Sequence, residues 1–249
     1  CIAINEIFSN LSISLKNINL CALNSVEIIG SVLFAKRYNI NNKNTVGVIN
    51  VNGAGIDAPF ELNFGSVLKN SQIDKAIDLF AKLYKQLFPK ILGFREGWGN
   101  DEIAFQVPGV NVPAISIYRW PFEEYHTSSD NFSCFSMNKF IKTKEVIIKL
   151  IKVMDFNYKI KEIFIDHLPC LSHPKINLYM NTRYTSDIED NQCQISSFSS
   201  LDEIDKEFIN KNPQFINVFM NKFIAFLPLM PNKSIVDIAL ELEAPHSLV

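Results

Sequence analysis

No CxxC pair occurs in this 249-residue chain, and its five cysteines, Cys1, Cys21, Cys134, Cys170 and Cys193, are odd in number. That argues against a disulfide framework and against a thiolate zinc cage, and leaves buried free thiols in a reducing cytoplasm as the plain reading. No basic n-region precedes an apolar stretch at the start, so no signal peptide is visible. The first residue is cysteine rather than methionine, so position 1 need not be the native start. Long apolar runs are missing too. The most apolar late segment, 215–230, is interrupted by Asn217, Asn221 and Lys222 and is too short and too polar to span a bilayer. Lysine and arginine are scattered without a run, and the formal net charge is −2. Nothing therefore suggests an electrostatic grip on nucleic acid or an anionic membrane. What is present is a 47% hydrophobic, 20% charged composition, which suits a globular protein with a sizeable core in one large domain or two modest ones.

Along the chain, apolar strands alternate with amphipathic helices. Residues 1–11 could end a helix. Lys16 to Leu23 reads as a short buried strand, and Ser25 to Arg37 as a helix with Val26, Ile29, Val32, Leu33 and Ala35 as its apolar stripe. Thr45 to Val51, rich in β-branched residues and closed by Asn52-Gly53, reads as a strand buried on both faces. Ser71 is a good N-cap for a helix in which Ile73, Ile77, Phe80, Ala81, Tyr84 and Leu87 recur at helical spacing. A short helix-like stretch closed by Pro108-Gly109 follows, then an apolar strand over Pro113 to Tyr118 and a long helix from Met137 to Met154. This alternation implies βαβ units and an α/β domain over residues 1–155, with a mostly parallel sheet flanked by helices. In such sheets functional groups gather in the loops beyond the carboxyl ends of the strands. Three polar clusters sit at such places: 24–27, 97–102 and 123–131.

Residues 156–249 form a second region. The stretch to about Ser200 reads as a linker with one β-hairpin. Leu201–Asn210, Phe215–Phe226 and Ser234–Leu242 read as three helices, suggesting a small helical, winged-helix-like module. Its acids, Asp202, Glu203, Asp205, Glu207, Asp237, Glu241 and Glu243, are wrong for phosphate contacts, so nucleic acid is not the expected partner.

The densest polar constellation runs from Asn100 to Asn131. It holds the acidic pair Asp101-Glu102, a Pro-Gly turn, a short strand and then Tyr125-His126-Thr127-Ser128-Ser129-Asp130. A neutral imidazole directly after a strand suits a metal ligand, with a neighbouring acceptor orienting the ring through its other nitrogen. The alternative is a structural histidine held in its turn by Asp130 and Thr127.

The order of these motifs resembles the di-zinc aminopeptidases, and more closely a bacterial aminopeptidase-like branch with a C-terminal winged helix. Gly99-Asn100-Asp101-Glu102 is similar to the branch's Gly-Ser-Asp-Glu loop, and Glu124-Tyr125-His126-Thr127-Ser128 to its histidine motif. Ser25-Val26-Glu27-Ile28-Ile29-Gly30-Ser31 resembles the acidic turn that supplies a zinc ligand and the general base. The tail segment 234–239 looks like the start of the winged helix.

The resemblance implies a zinc-dependent hydrolase of an N-terminal peptide bond or another small amide. His126 would be a metal ligand, Glu27 a ligand or the base, and Asp101 an orienting carboxylate. Zinc lowers the pKa of a bound water to about 7 and polarises the scissile carbonyl, and a glutamate carries the proton to the leaving amine. Arg119 would meet a substrate carboxylate or a surface counter-ion. Two departures stand against a complete site. No histidine precedes His126, so the upstream zinc ligands would lie before Cys1 or never existed. Asn52 stands where the family places an aspartate, and Asp57 is a distant substitute. The expected alternative is a non-catalytic, peptidase-like scaffold serving as a binding or regulatory protein.

Overall fold

The computed structural model describes residues 15–84, 90–97, 99–159, 201–212, 215, 218, 219, 222, 223 and 232–248. The chain divides into two compact units, 1–157 and 158–249.

The first unit is a mixed α/β fold on a four-stranded sheet. Its strands are β1 (Val48–Val51), β2 (Phe60–Asn63), β3 (Lys90–Leu92) and β4 (Ala114–Arg119), in the order β1-β4-β2-β3. β1 runs parallel to β4 and β2 parallel to β3, whereas β2 meets β4 antiparallel. The sheet is thus mostly parallel by pairing, with one reversal in the middle. β4 is buried along its whole length, as a strand with helices on both faces must be. Its side chains alternate between those faces. Ser116 faces the helix α3 (Glu102–Gln106), through Glu102. Arg119 faces α4 (Met137–Asp155), through Thr143. α3 packs beside α1 (Ile29–Arg37), and α4 beside α2 (Gln72–Leu83), so each sheet face carries a helix pair.

The helices begin where local chemistry starts them. At α2 the Ser71 hydroxyl accepts the Asp74 amide, and Ile73, Ala76, Ile77, Leu79, Phe80 and Leu83 form one buried face. Asp74 is itself fully buried. Its carboxylate accepts the Gly65 amide at 2.6 Å and the hydroxyls of Ser66 and Ser71, which fastens the end of β2 to the start of α2.

Several local expectations need correction. Lys16 to Leu23 is not a strand and is not buried. The amides of Lys16, Asn17 and Ile18 donate to the Asp155 carboxylate at the end of α4, at 2.8–3.2 Å. These N–H groups are thereby taken from any neighbouring strand. The helix expected from Ser25 starts at Ile29 instead, because Ile28 has φ 59° and interrupts the turn. β1 is half-buried, not buried on both faces, because it is the outer strand of the sheet. β2 and β3 were not anticipated.

In the second unit, α5 (Glu203–Lys211) is capped by Asp202, and α6 (Ile235–Leu242) opens with a reciprocal Ser234–Asp237 capping box. The expected helix end over 1–11, the linker and hairpin to Ser200, and most of the expected helix Phe215–Phe226 lie outside the described residues. So do the parts of the tail that would decide for or against a winged helix.

Candidate functional site

β1 and β4 are parallel neighbours, so their carboxyl ends share one edge, and both bear polar loops. After β1 comes Asn52, exposed, whose amide donates to the Ile117 carbonyl at 3.0 Å. After β4 comes the turn that carries His126.

α3 lies against β4 and β1 and points its N-terminus toward the same edge. At its far end the Gln106 amide donates to the Ala114 carbonyl at 2.7 Å, at the start of β4. At its near end Glu102 reaches Ser116, further along β4. The buried Glu102 carboxylate accepts the Ser116 hydroxyl at 2.7 Å, the Asn50 side-chain amide at 3.1 Å and the Asn100 backbone N–H at 2.9 Å. Three neutral donors satisfy this anion, so Glu102 braces the loop before α3 against the sheet. From the sequence Glu102 stands out only as a member of the acidic pair, with the orienting role expected of Asp101. Ser116 and Asn50, polar residues inside apolar strands, were the available signal.

Asp101, one residue earlier, turns the other way. Its Oδ1 accepts the Ile28 backbone N–H at 2.7 Å and the Ser31 hydroxyl at 2.6 Å. Ile28 precedes α1 and provides no side-chain cap of its own. Asp101 therefore caps α1 from a loop 73 residues away, placing an anion where the helix dipole favours one. The two acidic motifs, the turn bearing Glu27 and the Gly99–Glu102 loop, are thus in contact. The Glu27 side chain is exposed, and its carbonyl accepts the Ile29 amide at 2.6 Å.

His126 is exposed and takes the left-handed conformation, φ 61°. Its ring stacks on Tyr125 with centroids 3.9 Å apart, and Tyr125 meets Trp120 edge-on at 5.8 Å. Thr127 does hold this turn. Its hydroxyl donates to the Glu124 carbonyl at 2.6 Å and accepts the Ser129 amide at 3.2 Å. These bonds fix the backbone around the imidazole.

Two further expectations change. Arg119 is turned into the protein rather than out to the surface. It is buried, donates to the carbonyls of Ala58 (2.8 Å), Lys139 (2.9 Å) and Ala54 (3.3 Å) and to the Thr143 hydroxyl, and lies 3.9 Å over the Phe60 ring. Burial pulls its pKa down from the ordinary guanidinium value to about 10, with the Asp57 charge opposing. It therefore remains a cation at neutral pH. Asp57, the distant substitute for an aspartate ligand, pairs instead with Lys139 at 3.4 Å.

A catalytic zinc takes about three protein ligands and a structural one about four. Among the described residues no group of three or more His, Cys, Asp and Glu could hold a metal ion. By themselves they do not complete a zinc site. No described helix is long and apolar enough to cross a membrane.

These features place the chain among α/β proteins with peptidase-like structural neighbours. Residues 14–157 match the family described as a domain of unknown function, DUF4910, and the chain belongs to that family. Over 120 residues it is 33% identical to a Clostridium acetobutylicum protein named "Putative polysaccharide biosynthesis protein with aminopeptidase-like domain". That match covers 45% of this chain and 25% of the relative. Among solved structures it is similar to one titled as a "putative peptidase" from Clostridium acetobutylicum, with TM-score 0.59 and 17% identity. That likeness, which is one of fold, covers 89% of this chain and 42% of the other. The chain thus spans less than half the length of either protein.

Proposed function

We propose that this chain carries part of the site of an aminopeptidase-like hydrolase acting on the N-terminal residue of a peptide or on another small amide. The observation that supports it best is the bonding of Asp101 to Ile28 and Ser31. It joins the acidic turn to the Gly99–Glu102 loop at the strand edge from which the His126 turn also leaves. In this reading His126 is a zinc ligand, Glu27 is a ligand or the base, and Asp101 positions the Glu27 turn. Two donors fall short of a zinc site, so the chain alone is expected to be feebly active or inactive. The remaining ligands would come from outside the described residues. The free thiols of Cys21 and Cys134 fit a cytoplasmic setting. The Ser234-capped helix α6 supports a winged-helix-like tail, and the acids of that tail speak against nucleic acid as its partner.

A second reading is a non-catalytic scaffold. It is favoured by the shortage of donors and by Asn52, whose amide is a weaker zinc ligand than a carboxylate.

Zinc titration by calorimetry on the wild type, His126→Ala and Glu27→Gln tests the metal reading. Weak uptake by the wild type, reduced about tenfold or more in each variant, is expected, since each removes one of two donors. Equal uptake by wild type and His126→Ala removes the metal site.

A further inference from the structure

The sheet reverses direction in its middle, and the reversal gives it a second edge of interest. The carboxyl ends of β1 and β4 carry Asn52 and the His126 turn, whereas those of β2 and β3 open at the opposite end, beside the start of β4. Ligands of open α/β sheets bind in crevices outside the carboxyl ends of strands. A cleft of about 620 Å³ lies at this second edge, within the range of about 300–1,000 Å³ usual for small-molecule sites. The loops after β2 and β3 line it, together with the turn before β1 and the segment before β4.

The backbone around the cleft is tied down. Asn44 Oδ1 accepts the Asn41 amide at 3.0 Å and the Thr45 hydroxyl at 2.9 Å, and its Nδ2 donates to the Asn39 carbonyl at 2.9 Å. The Asn111 amide donates to the Val107 carbonyl at 3.0 Å, with Asn111 left-handed at φ 51°. Gly65 gives its amide to Asp74, and its carbonyl accepts the Ala114 amide at 3.3 Å. The end of β2 therefore offers no open strand edge to a peptide. The free groups are side chains. The carboxamides of Asn42, Asn70, Gln72 and Asn111 all line the cleft, are exposed, and make no hydrogen bond to another described residue. Each still offers an acceptor oxygen and two N–H donors.

Charge narrows the ligand further. Among the described residues that line the cleft, Lys43 alone is ionised. The N-terminus of α2 would otherwise favour an anion, but the fully buried Asp74 carboxylate already occupies it and holds the Ser66 and Ser71 hydroxyls. A second anion there would meet a like charge. What remains is a set of neutral amides that both donate and accept, beside apolar surface from Phe94 and Val67. A sugar hydroxyl donates and accepts in the same way, and a pyranose ring has apolar C–H faces to set against Phe94.

We propose that this cleft binds a neutral carbohydrate, with the hydroxyls of a pyranose unit on the amides of Asn42, Asn70, Gln72 and Asn111. The site lies at the opposite end of the sheet from the His126 turn and does not depend on the hydrolase reading.

The test titrates the full chain with maltotriose, cellotriose and N-acetylated chitotriose, each to about 10 mM, enough to reveal a millimolar Kd. Side-chain amide resonances, assigned by substitution, are followed by NMR. Saturable shifts at the four carboxamides with at least one sugar are expected. The double variant Asn70→Ala/Gln72→Ala alters two exposed side chains without partners, and should weaken binding about tenfold or more while the resonances of the core stay in place. Asn42→Ala, on a different loop, should weaken it severalfold by itself. Absence of saturable shifts with all three sugars overturns the proposal, as do shifts confined to other parts of the chain or equal affinity of the variants. Triglycine and inorganic phosphate are titrated in parallel. Shifts of the same amides by either of these, without shifts by the sugars, would make the cleft a peptide or anion site and overturn the proposal as well.

Discussion

Replacing Asp101 by alanine removes the bond between the two acidic motifs while leaving both in the chain. Its Oδ1 holds the Ile28 amide at 2.7 Å and the Ser31 hydroxyl at 2.6 Å. Ile28 stands at φ 59°, in the left-handed region, where a β-branched residue is strained. A side-chain cap contributes about 1 kcal/mol, within a range of about 0.5–2. A bond to a charged acceptor reaches about 1.5–3 kcal/mol where water is excluded. Ile28 is 44% exposed, so water replaces part of what is lost, and a local cost of about 1.5 kcal/mol is expected. That corresponds to roughly tenfold more frequent opening of the first turn of α1. Amide hydrogen exchange followed by NMR reads this directly. The Ile28 and Val32 amides should exchange about tenfold faster in Asp101→Ala, while Ile77 and Phe80 in α2 keep their protection. Asp101→Asn keeps an oxygen acceptor in place and should recover part of the effect. Unchanged exchange at Ile28 and Val32 would show that the two motifs are merely adjacent, and the argument for a shared site would lose its support.

Three other outcomes follow from the same structure. Arg119→Met keeps the stem but takes the guanidinium donor from the Ala58 carbonyl, while the Thr143 hydroxyl remains for those of Ala54 and Lys139, and urea unfolding followed by tryptophan fluorescence should show a loss of about 2 kcal/mol. The guanidinium pKa is lowered on folding to about 10, so the unfolded chain holds that proton to higher pH. The wild type therefore gains stability from this group only as pH rises above about 10, and the difference from Arg119→Met should be flat between about pH 6 and 9. Glu102→Gln keeps one oxygen but presents an N–H₂ donor where three donors converge, and a cost of about 2 kcal/mol in the same assay is expected. Asp74→Ala strips the acceptor from the Gly65 amide and two hydroxyls in a fully buried position. It should cost about 3 kcal/mol, and a loss under about 1 kcal/mol would mean that water satisfies the site.

Elements whose cause is local were legible in the sequence. The helix after Ser71 follows from a hydroxyl cap and an apolar i, i+3, i+4 stripe, and β4 from an apolar run interrupted by Ser116. β2 was not legible because half of it is polar. Glu61 is buried only because Lys90 of β3 reaches it at 2.5 Å, and Asn63 because the Ser116 amide of β4 donates to it at 2.5 Å. Lys16 to Leu23 misled for the reverse reason. Its composition suits a strand, but its amides are claimed by Asp155, some 139 residues on. The site divides in the same way. The motifs around Glu27, Asp101 and His126 could be picked out by type and order, but not which carboxylates are already bound.

The sequence alone determined an α/β alternation, the helix caps at Ser71 and Ser234, the excess of acid in the tail and the order of the acidic and histidine motifs. Each of these is read from residue types and their order along the chain, and each cap or stripe within it from residues a turn or two apart. Only the tertiary structure decided that Asp101 caps a distant helix, that Glu102 is held by three donors, that Arg119 is buried and that α1 shows Ile29, Val32 and Leu33 to solvent while Phe34 packs on the core. Those facts depend on partners tens of residues away, and a chain pattern carries the demand for a partner without saying which residue meets it.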